Sequence, residues 1–64
     1  MKIKTLIKGG NFSEYQHFVV LKRKANRILP VGGGYPDKVC DRFGDQKIRH
    51  VSVYENIVRI EIKS

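Results

Sequence analysis

The amino-acid sequence predicts a small, mainly β domain, a β-rich α+β fold of about five antiparallel strands with one short helix before a C-terminal hairpin. Three observations predict it. Residues 47–63 alternate between apolar and polar on both sides of Glu55-Asn56, which is typical of a half-buried hairpin. Residues 16–31 contain two runs of strand formers around a polar turn, and residues 36–44 contain helix start and stop signals. This element order fits an OB-type barrel, an SH3-like barrel or an open sheet crossed by a helix.

The chain length allows one domain, residues 1–64. A domain of this size buries roughly 60% of its unfolded surface, and its core supplies about 3–5 kcal/mol. A dimer would add stability, so homodimerisation stays open. Cys40 is the single cysteine, which excludes an internal disulfide and favours a reducing cytoplasm. No stretch approaches the ~20 apolar residues of a membrane span, so no membrane partner is expected.

Residues 2–8 are interpreted as the first strand, because the β-branched residues at 3, 5 and 7 alternate with lysines at 2, 4 and 8 and a leucine at 6. A short helix is the rival interpretation. Ile3, Leu6 and Ile7 are spaced i, i+3, i+4, which places them on one side of a helix. Gly9-Gly10 would end either element.

Residues 11–26 allow two interpretations. In the first, Ser13 caps a helix and Gln16 completes a capping box three residues later. In the second, a loop extends to about Tyr15 and a strand follows over residues 16–23. We favour the strand because Phe-Val-Val-Leu is a run of strand formers.

Residues 27–31 are interpreted as the return strand of this middle hairpin. A three-residue turn over residues 24–26 would pair Leu21 with Leu29 and create a second apolar face. Pro30 cannot donate a backbone hydrogen bond, which predicts that the return strand lies at an edge or contains a bulge.

The three glycines at 32–34 indicate a bulge or a chain reversal. They do not form a phosphate loop, because no Gly-Lys-Ser/Thr follows. Residues 36–44 predict one or two turns of helix, with the proline in the first turn and the glycine at the stop. Val39 and Phe43, four residues apart, would pin this helix to the sheet.

The C-terminal hairpin is the best-defined element. A two-residue loop at Glu55-Asn56 pairs Tyr54 with Ile57, and a slip of one residue would move every side chain to the wrong face. The predicted apolar face consists of Val51, Val53, Val58, Ile60 and Ile62. The opposite face consists of His50, Ser52, Arg59, Glu61 and Lys63, with His50 opposite Glu61.

The pattern Phe43-Gly44-Asp45, followed by the strand and turn residues 48–56 and 58–62, resembles the C-terminal hairpin of many small phage and prophage accessory proteins. The resemblance covers about the last third of the chain and consists mostly of strand and turn chemistry. It implies a small cytoplasmic protein, often a binder or inhibitor of host machinery. It carries over no catalytic residue.

The charge is strongly positive and uneven. Thirteen Lys and Arg residues against six acids give a net charge of +7. Residues 1–32 contain seven bases and one acid, whereas residues 33–64 contain six bases and five acids. A one-sided positive field attracts nucleic acid, an anionic membrane or an acidic protein surface. Solubility alone is the plainer explanation of a basic chain.

The basic cluster at the tip of the middle hairpin is the candidate site, because phosphate binding requires such charges. The predicted phosphate contacts are Lys22, Arg23, Lys24, Arg27 and Lys8. The candidates for base stacking are five aromatic residues, Phe12, Tyr15, Phe18, Tyr35 and Tyr54. We select Tyr15, and also Phe18, which the predicted register turns away from the apolar face containing Leu21.

The sequence therefore predicts a non-enzymatic nucleic-acid binder without strong sequence specificity, with single strands favoured. The alternative is a phage-type accessory protein or inhibitor that binds a host protein through its basic surface or a sheet edge. No cofactor, metal site or catalytic residue is expected. Cys40 and His50 are not tied to each other by spacing, and acids at 37, 41 and 45 suit a solvated helix face.

Overall fold

The computed structural model describes residues 1–63 and contains one four-stranded sheet over that range. Its elements are α1 (Ile3–Gly9), β1 (His17–Lys24), β2 (Arg27–Gly34), α2 (Pro36–Phe43), β3 (Ile48–Tyr54) and β4 (Ile57–Ile62). The strand order is β2-β1-β4-β3. β1–β2 and β3–β4 are antiparallel, and β1 and β4 are parallel neighbours. The mainly β fold is confirmed. The sheet is open and mixed, so neither a closed barrel nor a count of five antiparallel strands is confirmed.

The first element is a helix, so the strand predicted over residues 2–8 is wrong and its rival is correct. Only Lys2 forms a β-bridge, to Lys47. The helix places Ile3 in the core, and Leu6 and Ile7 pack against that core. A strand would have turned Leu6 away from the two isoleucines, whereas the i, i+3, i+4 spacing on a helix places all three against the core.

The strand interpretation of the segment leading to β1 is confirmed, and the capped helix is wrong. Ser13 does act as a cap, but of a turn: its Oγ accepts the Tyr15 backbone N–H at 3.1 Å. Gln16 does not complete a capping box. Its side-chain amide donates instead to the backbone oxygen of Asn56 at the tip of the other hairpin.

The register of the middle hairpin differs from the prediction. Lys24 pairs with Arg27 across a turn of only two residues, and Leu21 pairs with Pro30. Ala25 in this turn has a φ of 56°. The turn is one residue shorter than predicted, so Leu29 does not face Leu21. Pro30 lies on the outer strand β2, close to a bulge, as predicted.

The second helix is confirmed, with its proline in the first turn and Gly44 as the C-cap. Val39 is buried, and Phe43 packs against the core. Gly32 on β2 makes room for the Phe43 ring, because a Cβ there would lie 2.6 Å from that ring. The glycine run therefore lets α2 dock closely on the sheet.

The C-terminal hairpin has the predicted register, with Tyr54 opposite Ile57, Val53 opposite Val58 and His50 opposite Glu61. Its tip residues have φ values of 49° and 66°, as a type I′ turn requires. The apolar face is covered on β4 only. Because β3 is the outer strand, Val53 stays 68% exposed.

The core lies between the two helices and one face of the central strands β1 and β4. Its buried residues are Ile3, Phe18, Val20, Val39, Val58, Ile60 and Ile62. The predicted exposure of Phe18 is wrong, since this residue is only 1% exposed. The parallel register places Phe18 beside Val58 on the face that the helices cover, so its ring cannot stack on a ligand.

The hairpin face supports a stability prediction. Ile60→Ala should lower the free energy of unfolding by about 2–5 kcal/mol, because it empties a fully buried site. That loss is comparable to the whole stability of such a domain. Val53→Ala, on the same face but exposed, should cost less than about 0.5 kcal/mol. Urea denaturation followed by circular dichroism measures both, and equal losses would contradict the observed register.

Candidate nucleic-acid interface

The face of the sheet opposite the helices contains most of the candidate site. Residues opposite one another on neighbouring strands share a face, which defines this surface, here called the open face. Its members on the three strands β1, β4 and β3 are His17, Val19, Leu21, Arg23, Ile57, Arg59, Glu61, His50, Ser52 and Tyr54. The open face is therefore apolar in the middle of β1, at Val19 and Leu21, with cationic and aromatic side chains around it.

Glu61 lies between two arginines near one end of the open face. Its Oε2 is 3.4 Å from Nε of Arg23 and 3.4 Å from Nε of Arg49. Arg49 lies at the irregularity in the β3–β4 ladder. Glu61 is only 7% exposed, so its carboxylate depends on these partners for charge compensation. The predicted position of Glu61 opposite His50 is confirmed, but its ion pairs are with arginines.

Arg59 is an exposed cation near the middle of the open face. Its neighbours across the strands are Val19 and Ser52, and neither is charged. Over residues 1–63 it belongs to no ion pair. Its guanidinium group is thus available to an anion, which it can bind through two parallel hydrogen bonds.

The predicted basic cluster is divided by the strand that contains most of it. Arg23 belongs to the open face, whereas Lys22 and Lys24 point to the other side because side chains alternate along a strand. Lys24 and Arg27 remain neighbours at the hairpin tip. Lys8 is not part of that tip. It lies on α1, which begins beside Gln46 and precedes the loop that leads to the other end of β1.

Aromatic side chains gather at the end of the open face where β1 begins. The ring centroids of His17 and Tyr35 are 5.4 Å apart, and those of Tyr15 and Tyr35 are 6.3 Å apart. Tyr54 is on the adjoining strand pair and is 63% exposed. Tyr15 is exposed, as a stacking residue must be. Tyr54 could have been selected from the hairpin register, which already placed it opposite Ile57 and away from the valines.

Two lysines near the N-terminus are engaged by an acid. Lys4 Nζ is 2.8 Å from Oδ1 of Asp45, and Lys2 Nζ is 3.9 Å from the same atom. The hydrogen bond from Lys4, with the positive charges of Lys4 and then Lys2, lowers the pKa of Asp45. The same hydrogen bond raises the pKa of Lys4. These exposed ion pairs lie beside the backbone hydrogen bonds from Ile3 to Gln46 and from Lys4 to Gly44, which dock α1 on the turn after α2.

The part of the chain that the structure describes contains neither a metal site nor a membrane-spanning helix. Residues 1–63 contain no group of three or more His, Cys, Asp or Glu side chains placed to hold a metal ion. No helix within that range is long and apolar enough to cross a membrane. No protein-family model, curated protein or solved structure matches the chain.

The Asp45 contact supports a prediction. A carbon-detected NMR titration should find the pKa of Asp45 below its ordinary value, and Lys4→Met should raise it. A lowered carboxyl pKa adds stability above the unfolded-state pKa, and that stability is lost as the pH falls through the folded-state value. Lys8→Met, on the same helix, is the matched control and should leave the Asp45 pKa unchanged. A value unaffected by Lys4→Met would exclude the contact.

Proposed function

We propose that this protein is a non-enzymatic cytoplasmic nucleic-acid binder that contacts the phosphate backbone without strong sequence specificity. The contacts come from the open face and from the adjoining hairpin tip. One observation supports this most directly. The open face contains two arginines and is reached by a third, Arg49. It contains a single carboxylate, Glu61, which two of these three arginines already neutralise.

The cations divide into two groups by their role. Arg23 and Arg49 compensate a buried carboxylate, so they belong to the fold as much as to a ligand site. Arg59 and the hairpin-tip pair Lys24 and Arg27 form no ion pair among residues 1–63. Each of these three can replace a condensed counterion on a phosphate, which is the main source of non-specific affinity.

The open face suits an extended strand better than a duplex. Both helices of the described residues 1–63 pack on the other side of the sheet, so neither projects from this face to enter a major groove. A sheet with exposed aromatic and cationic side chains instead matches the general requirements of single-strand binding, which are a positive surface and flat rings. Single-stranded nucleic acid is therefore the favoured ligand.

A salt titration tests the phosphate contacts. Fluorescence anisotropy should show that affinity for a labelled mixed-sequence oligonucleotide falls with salt, at about −0.7 in log K per log salt for each phosphate contacted. The triple variant Arg59→Gln, Lys24→Gln, Arg27→Gln should flatten that slope by about two units on the same rule. Folding should persist, since none of the three compensates a buried acid.

The matched control removes three charges from the two helices, α1 and α2. Lys8→Gln, Lys38→Gln and Arg42→Gln together give the same net charge as the triple variant, but should leave the slope within about half a unit of the wild type. Equal slopes for the two triple variants would show that only net charge matters and would overturn the proposed interface. No binding to any oligonucleotide at low salt would overturn the function.

A second candidate function, binding to a host protein as phage accessory proteins do, is favoured by the outer edge of β3. The backbone N–H of Ile48 donates to the Met1 oxygen at 2.8 Å, and Lys2 bridges to Lys47, so the N-terminus covers the start of this edge. Along the rest of its outer edge, β3 pairs with no strand of the described chain. Val53 on this strand is exposed. An extended peptide could add there as a fifth strand.

Nuclease treatment separates this candidate from the first. A protein partner that binds β3 should stay bound in equal amount after nuclease digestion, and Val53→Asp should reduce its recovery about tenfold or more, since the added charge lies in an apolar contact. Val53→Ala serves as the milder comparison. A partner lost with nuclease, or retained by Val53→Asp, would contradict binding at this edge.

A further inference from the structure

A groove about 620 Å³ in volume lies at the aromatic end of the open face. Its floor and walls come mainly from His17, Val19, Gly33, Tyr54, Ile57 and Arg59. The floor is apolar, and two ring-bearing side chains and one guanidinium group border it. Of these six residues, the sequence indicated only Tyr54, as one of five candidates for base stacking, and it was not among those selected.

Glycine keeps the groove open on the side of β2. Gly33 pairs with Val19 on β1, and a Cβ at this position would lie 2.5 Å from the Phe18 backbone oxygen. A side chain therefore cannot stand there without moving β1. The outer strand contributes bare backbone at this point, which leaves room beside Val19 for a flat ligand.

Tyr54 forms the opposite wall and exposes most of its ring. The hairpin fixes its position, because Tyr54 pairs with Ile57 at the last step of the β3–β4 ladder before the tip. His17 lies on the same face as Ile57 in the parallel ladder, and its ring is held beside Tyr35. The groove thus has two rings on elements of the sheet, where their orientation is fixed better than it would be on a loop.

The charges around the groove distinguish its two ends. Arg59 borders the groove and is free of ion pairs among residues 1–63. Glu55 lies at the hairpin tip beyond Tyr54, and its carboxylate repels phosphate from that end. A ligand that is flat, apolar on its faces and joined to an anion on one side matches this arrangement.

We propose that the groove between Tyr54 and Gly33 binds one unpaired nucleobase, with the adjoining phosphate on Arg59. The ring of Tyr54 stacks on the base, and Val19 and Ile57 contact its edge. A base within a duplex cannot reach the floor, so the groove confers preference for single strands. This inference rests on the proposed nucleic-acid function and specifies which chemical group of the ligand this surface recognises.

An abasic oligonucleotide separates base binding from phosphate binding. Anisotropy should show that the wild-type protein binds a labelled single-stranded oligonucleotide about ten- to a hundredfold more tightly than an abasic strand of the same length and charge, as expected for stacking of one base. Tyr54→Ala should abolish this difference while leaving affinity for the abasic strand unchanged. Tyr54→Phe keeps the ring and should retain the difference.

Val53→Ala is the matched control, since residue 53 is the next in the chain and is exposed on the other face of the sheet. It should bind both strands as the wild type does. Equal wild-type affinity for the two strands, or an equal loss on both with Tyr54→Ala, would overturn the base site while the phosphate interface stands. No binding to either strand at low salt would overturn both proposals.

Discussion

The parallel pairing of β1 with β4 is the contact on which the rest of the structure depends. Each hairpin closes locally, and within the sheet this ladder, from His17 opposite Ile57 to Lys22 opposite Ile62, joins them. It brings Phe18 beside Val58 and Val20 beside Ile60, and those pairs form the sheet side of the core. Because both helices must cover that apolar surface, the opposite face is left without a helix, and this is where the proposed interface lies.

The two outer strands, β2 and β3, are protected from further strand pairing in different ways. β2 contains a bulge, a proline and three glycines, all of which weaken pairing with a further strand. β3 has the N-terminus against its start, through Met1 and Lys2. Backbone hydrogen bonds from Ile3 to Gln46 and from Lys4 to Gly44 dock the residues that follow. The edge beyond Ile48 is less protected, which makes β3 the more accessible of the two edges to a protein partner.

The parts of the fold that could be predicted from the sequence are those that depend on nearby residues. The β3–β4 register follows from alternation around a two-residue turn, and α2 follows from its proline, its terminal glycine and the spacing of Val39 and Phe43. The core face of β1 could not be predicted in this way. Phe18 to Leu21 is an apolar run without alternation, as central strands often have. Choosing between its two faces requires the parallel partner, which is about forty residues away in the chain.

The candidate site was partly predictable for a related reason. Counting charges identifies thirteen bases, but it does not distinguish those that neutralise acids from those that remain available. Four bases form ion pairs with Asp45 or Glu61 among the described residues. Glu61 matters most, because burial makes its carboxylate dependent on Arg23 and Arg49. A cluster adjacent in sequence is thereby separated into cations that maintain the fold and cations that can meet a phosphate, and only the strand register reveals which are which.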